Sequence, residues 1–248
     1  MKFNKQIFTI LIMALLVPLA ASASVQHNSD GAKDKHINAC EFSNIMPNPV
    51  TSWNKHPTNP VIDQKAFVHP MASVIGAVTI GADVMVSPMA SIRGDEGMPI
   101  YIGKDSNVQD GVVIHALETI DAAGNPQNLV VGPDSKKYAV YVGENVSLAH
   151  QSQVHGPSLI GNDAFIGMQA FVFKATIGKN CVLEPKSAAI GVTIPDGRYI
   201  SAGVVVTDQK VANKLPKVFA GYPYEKTNAA VVEVNKELAE GYREAAAA

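Results

Sequence analysis

The sequence predicts an all-β solenoid, a parallel β-helix of hexapeptide repeats with a C-terminal α-helix packed on it. Three observations lead there: aliphatic residues recur every six positions over long runs, glycine follows the aliphatic residue in several units, and the tail alone shows helical spacing. A period of six fits neither the 3.6 of a helix nor the 2 of an ordinary strand. Self-similarity at a fixed short period marks stacked repeats.

The elements follow in chain order. The 248 residues are 47% hydrophobic, 17% charged and 6% aromatic, which suits one globular domain or an elongated array and excludes a disordered or collagen-like chain. Lys2 and Lys5 precede an apolar stretch from Ile7 to Leu19, and Ala21-Ser22-Ala23 supplies the small residues of a cleavage site. Residues 1–23 therefore read as a signal peptide cut before Ser24. The apolar stretch is shorter than the ~20 residues of a spanning helix and holds Pro18, so a retained anchor is disfavoured. The expected product is exported, periplasmic or at the cell surface, with no membrane attachment. Residues 24–45 are polar and aperiodic and read as a flexible lead-in.

The beat occupies 46–210. It runs through Val68, Val74, Ile80, Val86 and Ile92 with Met98 as a sixth, then Ile102, Val108, Ile114 and Ile120. It resumes at Val142, Leu148, Val154, Ile160, Ile166 and Val172, followed by Ile177, Leu183, Ala189 and Ile194, Ile200, Val206. If each hexad is one short strand and a turn, three hexads close a triangular coil and about seven coils stack their aliphatic residues into columns. Glycine after the aliphatic residue, as in Ile102-Gly103, relieves crowding where the backbone bends. Residues 120–141 carry Gly124-Asn125-Pro126 and Gly132-Pro133 and read as a loop thrown out of the coil. In the segment 211–248, Val231, Val234, Leu238 and Tyr242 stand at helical spacing, which predicts a helix over about 226–244 whose apolar stripe packs on the coils.

Charge and cysteine content narrow the function. Twenty basic against 22 acidic residues give −2, and loss of Lys2 and Lys5 gives −4, a balance without attraction for nucleic acid. Cys40 and Cys181 lie in no C-x-x-C pair, so cysteine metal sites are excluded, and a free Cys181 in a core position is expected. Asn145-Val146-Ser147 fits a glycosylation acceptor but falls in a tight coil and is expected to stay unmodified.

Of seven histidines, three fall within the repeat. His115 and His155 each follow a core aliphatic residue by one place, in the same phase. They are 40 positions apart, and removing a 22-residue loop leaves 18, one full coil. The two imidazoles should then stack at the inter-strand spacing of about 4.8 Å, which suits two ligands of one metal. His150, two places after Leu148, is out of phase and faces away from that pair, and a neighbouring copy can supply it. Three imidazoles with an open fourth position make a catalytic type of zinc site, which lowers the pKa of its water to about 7. A hydrogen-bonded structural role for each histidine is the competing reading.

At "SPMASIRGDEGMPIYIG", "SNVQDGVVIHALET" and "NVSLAHQSQVHGP" the chain resembles the gamma-class carbonic anhydrases, above all their exported form in methane-producing archaea. The likeness spans nearly all of residues 42–244. It implies a left-handed helix, a homotrimer with metal sites between subunits, and reversible hydration of carbon dioxide to bicarbonate by metal-bound hydroxide. It implies Zn2+ as cofactor, with Fe2+ or Co2+ possible, and His115, His150 and His155 as ligands. By the same resemblance, Gln109 orients the metal-bound solvent, Glu96 passes its proton on, and Glu118 is the proton shuttle. Arg93, Asp95 and Asp110 match residues that tie subunits together, and Asn235 an amide that helps place substrate. Two features depart from the family: Glu233 stands where a tyrosine is usual, and the loop after Glu118 holds only Asp121 and Asp134 as acids. The rival functions are a hexapeptide acyltransferase, disfavoured by export away from acyl-CoA, and a noncatalytic trimeric scaffold.

Overall fold

The computed structural model describes residues 43–121 and 123–247. The expected signal peptide with its cleavage before Ser24, nearly all of the lead-in, and Cys40 lie outside the described residues. Each coil gives one short strand to each of three parallel sheets, and the coils wind left-handed. The first face has eight strands, from Ile45–Met46 to Val205–Val206; the second has seven, from Val61–Ile62 to Thr193–Ile194; the third has seven, from Phe67–Val68 to Tyr199–Ile200. The eighth strand of the first face arises because Ile45 pairs with Val74 ahead of the first complete coil.

The six-residue beat maps onto three buried columns. Ile114 lies between Ile92 and Val154, Ile102 between Ile80 and Val142, and Leu148 between Val108 and Ile166, all essentially without exposure. Burying each such side chain contributes about 1.5–3 kcal/mol, which lets strands of two to four residues persist. Cys181 lies wholly inside this core, and burial pushes its thiol up to about 11.

Register corrects the beat in two places. Ile80 pairs with Ile102, so ten positions separate Ile92 from Ile102 where six suffice, and Asp95–Met98 is an added segment. Met98 therefore packs on the core from outside the columns and is not a repeat member. Ile120 bridges Pro126 within the loop and joins no column. Where the sequence predicts a loop over 120–141, the chain leaves the coil after His115, folds a hairpin of Val130–Val131 on Lys137–Tyr138, and is back in the second face from Val140.

The glycine after the aliphatic residue also has a different cause from the expected bend. A side chain on Gly161 would come within 2.8 Å of the Lys179 amide nitrogen in the coil stacked against it, so the glycines there permit close approach of successive coils. On the third face the bends fall three residues before Val108, Leu148 and Ile166, where Asp105, Asn145 and Asp163 adopt φ of +54° to +61°, a left-handed conformation that Asn and Asp tolerate. Asn145, the glycosylation candidate, sits at such a corner with its carbonyl bonded by Asn228 Nδ2 at 2.8 Å.

After the last coil, α1 spans Gln209–Ala212 and α2 spans Thr227–Ala247, longer than predicted because the terminal alanines continue the helix. The helix α2 lies against the strands Phe67–Val68, Met85–Val86 and Ser147–Leu148 of the third face. The residues it buries are Val232, Asn235 and Ala239; of the expected stripe, Val231 packs against the cluster that holds Phe165 and Val182, and Tyr242 stacks on Phe67 at 5.0 Å, while Val234 and Leu238 are about half exposed, contrary to the expected packing. Val234 and Leu238 border an open cleft instead.

Candidate metal centre

His115 and His155 are direct partners across the first face. Their ring centroids are 4.2 Å apart at 70°, and Phe173, on the other side of His155, packs edge-on at 5.0 Å. The thrown-out loop consumes the residues between them while the ladder beneath keeps them on adjacent rungs, as the spacing predicted. His155 Nδ1 is 3.0 Å from the Gly156 carbonyl, so in the neutral ring Nδ1–H donates there and Nε2 keeps its lone pair. His115 Nδ1 is buried without a hydrogen-bond partner, with Glu96 Oε1 at 3.5 Å.

Glu96 belongs to the added segment Asp95–Met98. Arg93 binds it from the same chain, its Nη2 at 3.6 Å from Glu96 Oε1 and its Nε at 3.2 Å from Asp95 Oδ2. Trp53 Nε1 and Asn54 Nδ2 both donate to the Asp95 carbonyl, at 2.9 and 2.7 Å, and fix the segment from its other side. Glu118 stands exposed where the loop departs, its carbonyl held by Asn128 Nδ2 at 2.8 Å. One edge of the prism, between the first and second faces, thus carries His115, His155, Glu96, Glu118, Arg93 and Asp95.

The remaining residues gather at a different edge, between the third and first faces. His150 Nδ1 meets Asp110 Oδ2 at 3.0 Å, with both side chains more than half exposed. Gln109 is almost buried; its Nε2 donates to Asn107 Oδ1 at 2.9 Å, and Asn107 Nδ2 donates to Ser147 Oγ at 2.9 Å, so Gln109 keeps Oε1 as a free acceptor. A cleft of about 410 Å³ beside α2 is lined by Ser87, Gln109, Asp110, His150, Val234 and Asn235, among others. Asn235 Nδ2 back-bonds to the Val231 carbonyl at 2.8 Å.

The predicted site residues therefore form two groups on one chain. Among the described residues no group of three or more histidine, cysteine or carboxylate side chains comes together as a metal site within a single chain. The donor chemistry nevertheless fits a divalent cation. His150 and His155 each have Nδ1 engaged and Nε2 free, and the ring of His115, whose buried Nδ1 is orphaned beside Glu96, lies against that of His155. Imidazole donors accept zinc, cobalt or ferrous iron.

The departures noted in the sequence fall outside both groups. Glu233 lies 3.9 Å from Lys236 and lines a separate cleft with Asn145 and Asp163. Asp121 is tied to the amides of Ala123 and Asn125, and Asp134 accepts the Tyr138 hydroxyl at 2.7 Å. Hydrogen bonds from Asn125 hold the Asp121 carboxyl below its usual range, and the bond from Tyr138 does the same for Asp134. Both acids are occupied by loop turns. Sequence reasoning missed Asn107, Trp53, Asn54 and the buried Thr119. Only the ten-residue interval between Ile92 and Ile102 signalled that something was inserted there.

No protein-family model matches the chain. Among curated proteins it is 64% identical over 245 residues to a carbonic anhydrase of Methanosarcina thermophila, covering 98% of this chain and 99% of that one. It is 41% identical over 195 residues to the carboxysome assembly protein CcmM of a Nostoc species, covering 78% of this chain and 33% of the relative. Among solved structures, a hexapeptide transferase family protein from Anaplasma phagocytophilum aligns with a TM-score of 0.56 at 23% identity, over 75% of this chain and 93% of that one. A structure described as an acetyltransferase, from Bacillus cereus, aligns with a TM-score of 0.61 at 22% identity, over 82% of this chain and 99% of that one. The two structures share the coil architecture, while the near full-length identity to the archaeal enzyme carries more than the fold: the chain belongs to the gamma-class carbonic anhydrases.

Proposed function

We propose that the protein interconverts carbon dioxide and bicarbonate in a homotrimer, with Zn2+ held between subunits by His115 and His155 of one copy and His150 of the next. The observation that carries this reading is the split of the site residues between two edges of one prism, each incomplete alone. A contact that joins one edge of a copy to a different edge of its neighbour is heterologous, and it closes into a ring when the rotation allows. Fe2+ and Co2+ suit the same donors.

The cation, when bound, supplies a Lewis acid that brings ionisation of water to about pH 7. The chain's own groups do the rest. The Gly156 carbonyl and the Asp110 carboxylate fix the tautomers of His155 and His150 so that Nε2 faces the ligand position. Gln109 presents Oε1 to the attacking water, its amide held the right way round by Asn107 and Ser147. Glu96 takes the proton and Glu118, at the exposed start of the loop, hands it to buffer. Arg93 and Asp95 on one edge meet Asp110 on the other as the subunits join. Asn235, in the cleft with Gln109, helps to place the substrate. Residues 1–23 direct export and are removed before Ser24, so the reaction serves the periplasmic or cell-surface side.

A noncatalytic scaffold is the second reading, favoured by the match to a relative named for carboxysome assembly. The likeness to transferase structures extends to the fold alone. Subunit complementation separates the readings. His150→Ala and His155→Ala chains expressed singly should hold no metal and show no hydration in stopped flow. Co-expressed, they rebuild one intact junction in each mixed ring, and about one quarter of wild-type metal and activity should return. Mixed trimers that stay inactive, or His150→Ala protein with full metal, would overturn the shared site. A fully metallated trimer that hydrates no carbon dioxide would favour the scaffold.

A further inference from the structure

The segment Asp95–Met98 and the loop that begins after His115 are both additions to the hexad pattern, and they leave the same edge in successive coils. Thr119 joins them. It is wholly buried although it follows the exposed Glu118. Its amide nitrogen and its hydroxyl both donate to the Glu96 carbonyl, at 2.9 and 2.6 Å, and the same hydroxyl accepts from the Met98 amide. Gln127 N then donates to the Thr119 carbonyl at 2.8 Å, which closes the loop back on this point. Between Glu96 and Met98, Gly97 adopts φ of +107°, and any side chain there would run into Thr119 Oγ1 and come 3.0 Å from Ile120 Cγ1.

We infer that Thr119 is a positioning residue, a clamp that holds the segment bearing Glu96 and the loop bearing Glu118 as one rigid unit so that their carboxylates keep a fixed relation. This rests on the reading of those two carboxylates as the proton path. The clamp works because the Thr119 hydroxyl is out of solvent with both its proton and a lone pair engaged, so water does not compete for either bond. Glu118 could otherwise swing with its loop, since apart from its backbone bond to Asn128 its side chain is free in solvent. Handover of a proton between two groups is steep in their separation and alignment, and misplacement by about 1 Å costs up to about a hundredfold.

The test compares Thr119→Val, which keeps the shape and removes the hydroxyl, with Thr119→Ser, which keeps the hydroxyl. In the metal-loaded trimer, Thr119→Val should lower kcat about tenfold in dilute buffer while kcat/KM and metal content hold, and Thr119→Ser should restore kcat. In the metal-free protein, hydrogen exchange at the Met98 and Thr119 amides should speed up about tenfold in Thr119→Val, with residues 158–206 unchanged. Gly97→Ala, which drives a methyl group against the Thr119 hydroxyl, should give the same pattern by an independent route. Wild-type exchange in Thr119→Val, or kcat and kcat/KM falling together, overturns the clamp. Glu118→Gln with wild-type turnover in dilute buffer overturns instead the proton-path reading; the exchange result, which needs no turnover, tells the two failures apart.

Discussion

The coils from Ser158 to Val206 and those from Ser91 to Val142 are built from the same hexad, yet they differ in what they carry. The later coils keep the beat almost unbroken, shortening only from eighteen positions between Val154 and Val172 to seventeen between Val172 and Ala189. They carry a full core and none of the site residues. The earlier coils are interrupted twice, by Asp95–Met98 and by the loop after His115, and those interruptions hold Glu96 and Glu118. The regular ladder supplies position, fixing where His115 and His155 stand, while the departures from it carry the two carboxylates proposed to handle the proton.

Substitutions on the two sides should separate these roles. The largest effect on stability is expected in the regular part: Ile166→Ala empties a fully buried column position and should cost about 3 kcal/mol in denaturant unfolding, with turnover per metal unchanged in the protein that remains folded. Glu118→Gln, in the interrupted part, should leave stability as it is and lower turnover in dilute buffer up to about a hundredfold, with recovery as buffer rises; equal loss at all buffer concentrations would count against its role. The smallest effect is at the loop hairpin. Because the Tyr138 hydroxyl holds the Asp134 carboxyl below its usual 3.8, the folded state is favoured above that value, and the advantage fades as acid protonates Asp134 through its lower folded pKa. NMR signals of Tyr138 should therefore stay constant through neutral pH and shift only in acid, and Asp134→Asn should remove the shift.

Much of this was legible in the sequence because one physical rule, a small core filled by one aliphatic side chain per hexad, generates the whole prism. The adjacency of His115 and His155 followed from phase and loop length, and the isolation of His150 from its different phase. The added segment at Asp95–Met98 was hidden because Met98 is apolar and happens to fall six places after Ile92, so the beat ran through it falsely. The stripe on α2 misled only in part: helical spacing tells which residues share a side, but both sides of this helix carry apolar residues, so Val231 and Tyr242 meet the coils as expected while Val232 and Ala239 take the buried places instead of Val234 and Leu238. Thr119 and Asn107 gave no signal at all, since a hydroxyl or amide acts here through backbone and side-chain partners brought together only by stacking.

The loop between His115 and Val140 begins and ends on rungs whose spacing is set by the sheet below, so its contents are free to drift without loosening the imidazole pair. Such an arrangement gives the protein a rim that can change, beyond Gln127, over a rigid floor. Recombining the tip beyond Gln127 with foreign sequences would let selection retune buffer preference while leaving cation affinity untouched.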